Sequence, residues 1–161
     1  MKPQSHPLNG FLRELTFHKD LDEADRESIL ALPVRVRKVD AATYLVREGS
    51  LALQCSVLID GFAFRQKVTG DGARQIMAIC IPGDAVDLQN MFLDVADHSV
   101  QMLTYGTVAD LKRADLQQIV LTRPALGAAI IQMALVEASI LREWVVNVGR
   151  RDARERIAHL L

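Results

Sequence analysis

Apolar positions recur at helical spacing near both ends of the chain and at strand spacing through its middle. From Asp22 a first turn rich in carboxylates, Asp22-Glu23-Ala24-Asp25, leads into apolar Ala24, Ile29, Leu30 and Leu32 before Pro33 stops the run, which predicts a short amphipathic helix. Between Val34 and about Lys112 the period shortens. Stretches such as Val34-Arg35-Val36-Arg37-Lys38-Val39 and Ser56-Val57-Leu58-Ile59 are each closed by a turn signal: Glu48-Gly49, Asp60-Gly61, Thr69-Gly70-Asp71-Gly72, Pro82-Gly83-Asp84 and Tyr105-Gly106. Most of these turns fall about 8–12 residues apart, the spacing of an all-β sandwich or barrel, and an antiparallel roll is the economical solution. Residues 1–10, with Pro3, Pro7 and Gly10 and no apolar period, predict a flexible arm ahead of this unit.

After Arg113 the helical period returns, first around Ala114–Val120 and then from Pro124 to Gly149. Proline suits a first helical turn and glycine a stop, so 124–149 predicts one long helix. Leu126, Ala129, Met133, Val136 and Ile140 follow alternating steps of three and four residues, continued by polar Glu143 and Asn147. A second stripe, Ile130, Ala134, Leu141, Trp144, Val145 and Val148, runs along another side. A helix apolar on two sides buries against two surfaces; the roll is one, and a partner helix or further core of the same domain is the other. The first stripe is the predicted dimer seam. Residues 150–161 begin another amphipathic helix, with Ile157, Leu160 and Leu161 on one side, and predict the start of a further domain continuing past Leu161.

Composition narrows the function classes. The chain has 161 residues, 50% hydrophobic and 24% charged, enough for one domain with a real core of about residues 11–123. Lys and Arg number 19 against 20 Asp and Glu, a formal charge of −1, so there is no basic surplus for gripping DNA phosphates with this segment alone. The arginines at 142, 150, 151, 154 and 156 make the C-terminal end basic, which fits either DNA phosphates nearby or the carbonyl end of a helix. No apolar run of about 18 residues lacks a charge, and Met1–Pro7 has no apolar signal segment, so a cytoplasmic protein without membrane contact is expected. Cys55 and Cys80 lie far apart in apolar strand-like runs and predict two buried free thiols. His6, His18, His98 and His159 show no metal-ligand spacing, so no metal is expected. Recognisable nucleophile, zinc-protease and phosphate-loop motifs are missing, and no catalytic residue is assigned.

The order of these elements carries a resemblance. Tyr44-Leu45-Val46-Arg47-Glu48-Gly49, Val57-Leu58-Ile59-Asp60-Gly61, Gly72-Ala73-Arg74-Gln75-Ile76, Pro82-Gly83-Asp84 and Arg154-Glu155-Arg156-Ile157-Ala158, taken in sequence with the long helix, resemble the effector half of the Crp/Fnr family of bacterial transcription regulators over residues 11–161. The resemblance implies a double-stranded β-helix, or jelly-roll, of cyclic-nucleotide-binding type, mainly β with flanking helices. It also implies a homodimer formed through the long helix, DNA as partner through a C-terminal helix-turn-helix domain absent from this chain, and RNA polymerase as a further partner. A stand-alone sensor or dimerisation module without a DNA reader is the alternative.

In family members that bind cyclic AMP, a phosphate cassette runs from a Gly-Asp turn through a Gly-Glu pair to Arg-Ser-Ala. Matched outward from Gly83-Asp84, this chain has Ala85-Val86, then Asp87-Leu88 for the Gly-Glu pair, and His98-Ser99-Val100 for Arg-Ser-Ala. Only the serine is kept. Asp87 brings negative charge towards an anionic phosphate, and a histidine with reference pKa about 6.5 is a poor permanent counter-ion. Cyclic AMP is therefore not expected, and no cofactor is assigned; the candidate pocket for an unidentified small-molecule effector is Gly83, Asp84, Ala85, Val86, Asp87, His98, Ser99 and Val100.

Overall fold

The computed structural model describes residues 6–160. Two short helices, α1 (Asn9–His18) and α2 (Glu23–Leu30), precede seven strands: β1 (Val34–Val39), β2 (Tyr44–Val46), β3 (Gln54–Asp60), β4 (Ala63–Val68), β5 (Arg74–Cys80), β6 (Ser99–Met102) and β7 (Gly106–Lys112). A 3-10 turn, Leu88–Met91, interrupts the strands, and α3 (Arg113–Thr122), α4 (Pro124–Arg150) and α5 (Ala153–Leu160) follow. The strands form two antiparallel sheets, β1-β7-β3 and β2-β6-β4-β5. This is the antiparallel roll expected from the glycine-punctuated strands, in the jelly-roll form that the resemblance implies.

Alternation on β3 and β7 divides the core in two. Cys55, Val57, Ala109 and Leu111 face the helices, where they pack with Phe11, Leu15, Ile29, Leu116, Leu126 and Ala129. Leu58 and Val108 point the other way, between the sheets, to meet Val39, Ala63, Val86, Val100 and Met102. The period of two thus lets one three-stranded sheet serve both a helical layer and the second sheet. Both thiols are free and buried, as expected.

Helix boundaries follow local chemistry. Asp22 caps α2, its carboxylate accepting from Asp25 N–H at 2.7 Å. At α5, Asp152 Oδ1 accepts from Glu155 N–H at 2.9 Å and Glu155 Oε2 accepts from Asp152 N–H at 3.0 Å, a reciprocal capping box. Pro124 opens α4, which runs one residue beyond Gly149. An 18-residue window of α4 averages a hydropathy of 1.7, apolar enough for a membrane span by length and composition. Its N-terminal half is instead committed to the core through Leu126, Ala129 and Ile130.

The predicted flexible arm needs correction. Residues 1–5 lie outside the described residues, but residues 6–8 form a turn and α1 starts at Asn9. Leu8, Phe11 and Leu15 are fully buried, so this segment is part of the helical core. At the C-terminal end Ile157 is exposed, and Leu161 lies outside the described residues.

Candidate functional site

The segment after β5 turns sharply at Ile81–Asp84. Gly83 holds φ +108°, a conformation that favours glycine, and α1 sits directly on it: a Cβ at Gly10 would stand 3.0 Å from Gly83 Cα. Asp84 closes the turn by accepting Ile81 N–H at 2.9 Å, and burial raises its pKa above the usual carboxylate range. Beyond the turn the chain runs beside β3. Leu58 N–H donates to Asp84 O at 2.9 Å, and Val86 N–H donates to Ser56 O at 2.9 Å.

The structure disperses the eight residues predicted to line one pocket. Gly83, Asp84 and Ala85 stay together, and the latter two face a cavity. Val86 and Val100 are fully buried between the sheets. Asp87, expected to confront a bound phosphate, turns inward: its Oδ1 accepts Ser56 N–H at 2.9 Å. Burial pushes Asp87 up to about 6, against the lowering effect of the Ser56 amide and of Arg65. His98 is buried, 2.7 Å from Asp97 Oδ1 and 3.3 Å from Gln89 Nε2. Ser99 Oγ accepts Glu48 N–H at 3.0 Å. His98, Ser99 and Val100 do not line the cavity.

That cavity, about 590 Å³, lies between the roll and α4. Its walls are largely apolar: Ala78 and Cys80 of β5, Leu88 and Phe92 beside the 3-10 turn, and Met133, Ile140 and Trp144 of α4. Burial pushes the Cys80 thiol up to about 11, so it acts as an inert apolar wall. Glu14 and His18, one turn apart on α1, and Gln89 reach its rim.

Sequence reasoning missed the group that joins these walls. Arg65 of β4 donates from Nε to Val86 O at 2.9 Å and from Nη2 to Ala85 O at 3.4 Å, while Nη1 pairs with Glu137 of α4. One guanidinium therefore ties the roll, the segment after the Gly83 turn, and the long helix. The available signal was an arginine inside the apolar stretch Phe62-Ala63-Phe64-Arg65. A second missed cluster lies inside the roll. Arg37 Nε donates to Asp110 Oδ2 at 2.5 Å, and Ser56 Oγ donates to Asp110 Oδ1 at 2.7 Å, joining β1, β7 and β3 by charge-assisted bonds.

The predicted dimer seam divides in the structure. Leu126 and Ala129 are fully buried within this chain, so they have no surface to offer a partner. Met133 is half-buried against the same core. Val136 and Ile140 are exposed, and with Ile131, Leu135, Val145 and Val148 they leave α4 a long apolar face in water. The reason is the length of the helix: its first turns pass over α1 and α3, and the later turns project beyond them.

Comparison with known proteins identifies the kin of this fold. The cyclic nucleotide-binding domain family matches residues 36–123. A probable transcriptional activator of Rhizobium leguminosarum bv. viciae is 29% identical over 125 residues, covering 78% of this chain and 51% of that protein. The transcriptional activator protein FnrL of Cereibacter sphaeroides is 28% identical over 125 residues, covering 78% and 50%. The chain thus spans about half the length of these curated relatives. Among solved structures, FixK2 from Bradyrhizobium japonicum shares the fold with a TM-score of 0.73 at 20% identity, covering 80% of this chain and 64% of that one. With residues 36–123, more than half of its length, matched, the chain belongs to the cyclic nucleotide-binding domain family and has Crp/Fnr-type transcriptional activators among its relatives.

Proposed function

We propose that the chain is the effector-sensing and dimerisation region of a bacterial transcription regulator whose roll does not take cyclic AMP. The observation that carries this reading is the charge at the cassette position and around the neighbouring cavity. Glu14, Asp84 and Glu137 contribute three carboxylates against the single guanidinium of Arg65, which Glu137 already engages. His98, at the position of the family's phosphate-pairing arginine, turns to Asp97 and Gln89. A cyclic nucleotide would find His98 already engaged by Asp97 and Gln89 where its phosphate needs a cation, and net negative charge in the adjoining cavity.

The exposed apolar face of α4, including Val136 and Ile140 where it borders the cavity, fits a second copy of the chain. DNA contact belongs to a domain further along the chain, as in regulators of this family, and RNA polymerase is the corresponding partner for activation. Such a protein works in the cytoplasm. Its output follows the logic of a two-state dimer, in which an effector biases the placement of α4 relative to the roll.

Isothermal calorimetry of the purified dimer with cyclic AMP tests the reading. No saturable heat is expected up to about 1 mM nucleotide; binding in the micromolar range overturns it.

A further inference from the structure

The cavity between the roll and α4 is of the size that small-molecule sites have, about 300–1,000 Å³, and its chemistry narrows what it accepts. Apolar side chains from three elements face it: Ala78 and Cys80, Leu88 and Phe92, and Met133 with Trp144. Its charged groups are largely spoken for. Asp84 accepts the Ile81 amide, Glu137 pairs with Arg65, and Arg65 also donates to two backbone carbonyls. An anionic ligand would have to displace Glu137 from Arg65 and then lie near Asp84 and Glu14. A cation would find Asp84 and Glu137 already partnered.

We propose that this cavity is a binding site for an uncharged, largely apolar small molecule, held by the β5, Leu88–Phe92 and α4 walls and discriminated from anions by Glu14, Asp84 and Glu137. This deepens the reading of the chain as an effector-sensing region and rests on it. A ligand seated here touches both the roll and α4, so its binding bears on how the two are held together. Burial raises the pKa of Asp84, in keeping with a poorly hydrated wall.

Trp144, the sole tryptophan, lines the cavity and supplies the reporter. The full chain is titrated with N-phenyl-1-naphthylamine, an uncharged aromatic amine that accepts energy from tryptophan, and separately with 8-anilinonaphthalene-1-sulfonate, the same ring pair carrying one negative charge. Saturable energy transfer from Trp144 to the uncharged probe is expected, with affinity at least about tenfold above that of the sulfonate. Ala78→Phe, which fills the β5 wall, and Ala134→Phe, which fills the cavity from exposed α4, are each expected to weaken the uncharged probe about tenfold with far-ultraviolet circular dichroism unchanged.

Failure of the uncharged probe to transfer energy from Trp144 overturns the site. Equal affinity for both probes overturns the charge argument. Retention of wild-type affinity in a folded Ala134→Phe variant moves the probe to the exposed face of α4 and also overturns the proposal. None of these outcomes bears on the calorimetry with cyclic AMP, so failure of this site and failure of the regulator reading are separate results.

Discussion

Asp87 is the residue whose environment departs furthest from what its type prefers. The residue is 1% exposed and its carboxylate accepts the Ser56 amide, with burial raising its pKa to about 6. The folded chain therefore holds this proton more tightly than the unfolded chain does. Between about pH 4 and pH 6 the native state binds more protons, so stability falls as pH rises through that window. The full cost, at most about 3 kcal/mol, is present above about pH 6. Asp84, also raised by burial, adds to the slope with the same sign. Asp87→Asn keeps an oxygen for the Ser56 amide and removes the titration. Urea unfolding at pH 4.5 and 7.5 is expected to show the variant gaining stability over the wild type only at the higher pH; an Asn variant no more stable at pH 7.5 would mean that the buried carboxylate is charged and usefully paired. The cassette match aims Asp87 at a bound phosphate, whereas in the structure its carboxylate accepts the Ser56 amide. A match to a cassette supplies position along the chain, whereas the direction of a side chain depends on partners such as Ser56 that are distant in sequence.

At the scale of elements, α4 shows how far periodicity reaches. Its extent was legible, because Pro124 and Gly149 bracket an uninterrupted helical pattern. Two apolar sides were legible as well. Which side meets the core was not, because the assignment depends on where α1 and α3 end beneath the helix. Leu126 and Ala129 belong to the protomer, and Val136 and Ile140 lie on the open face. The two classes separate experimentally. Leu126→Ala is expected to cost about 2–5 kcal/mol in denaturant unfolding, the range for a buried leucine losing its side chain. Ile140→Glu is expected to leave the protomer folded and to shift sedimentation from dimer to monomer; a dimer surviving Ile140→Glu together with Val136→Glu would remove this face from the interface. Helix α1 was missed for a different reason. Pro7 and Gly10 read as breakers, although Leu8, Phe11 and Leu15 already carried helical spacing. Gly10 suits the close approach to Gly83, where a Cβ would stand 3.0 Å from Gly83 Cα, a contact that local pattern does not encode.

In the whole molecule, the roll and the long helix meet chiefly through apolar packing near α1 and through the Arg65 junction further along. An antiparallel roll could be read from glycine turns at regular spacing, because turn geometry is local, while its jelly-roll form came from the family resemblance. The junction could not, because Arg65, Ala85, Val86 and Glu137 come together from three separate stretches of chain. Arg65 lies deep, with 12% of its side chain exposed, while Glu137 is more than a third exposed, so solvent weakens the ion pair more than the carbonyl bonds. The two halves of the junction should consequently part in a defined order. In Glu137→Gln the guanidinium keeps its bonds to Ala85 and Val86, and hydrogen exchange is expected to quicken in the 131–141 part of α4 while amides near Ala85–Asp87 retain their protection. In Arg65→Met the carbonyl bonds go as well, and exchange is expected to quicken in both segments together. Val86 N–H, which donates to Ser56 O of β3, and Leu58 N–H of β3, which donates to Asp84 O, are the amides to follow, since they report whether the turn segment still lies against the sheet. Matching exchange in the two variants would mean that Arg65 holds only the helix, and unchanged exchange in Arg65→Met would mean that apolar packing alone joins α4 to the roll.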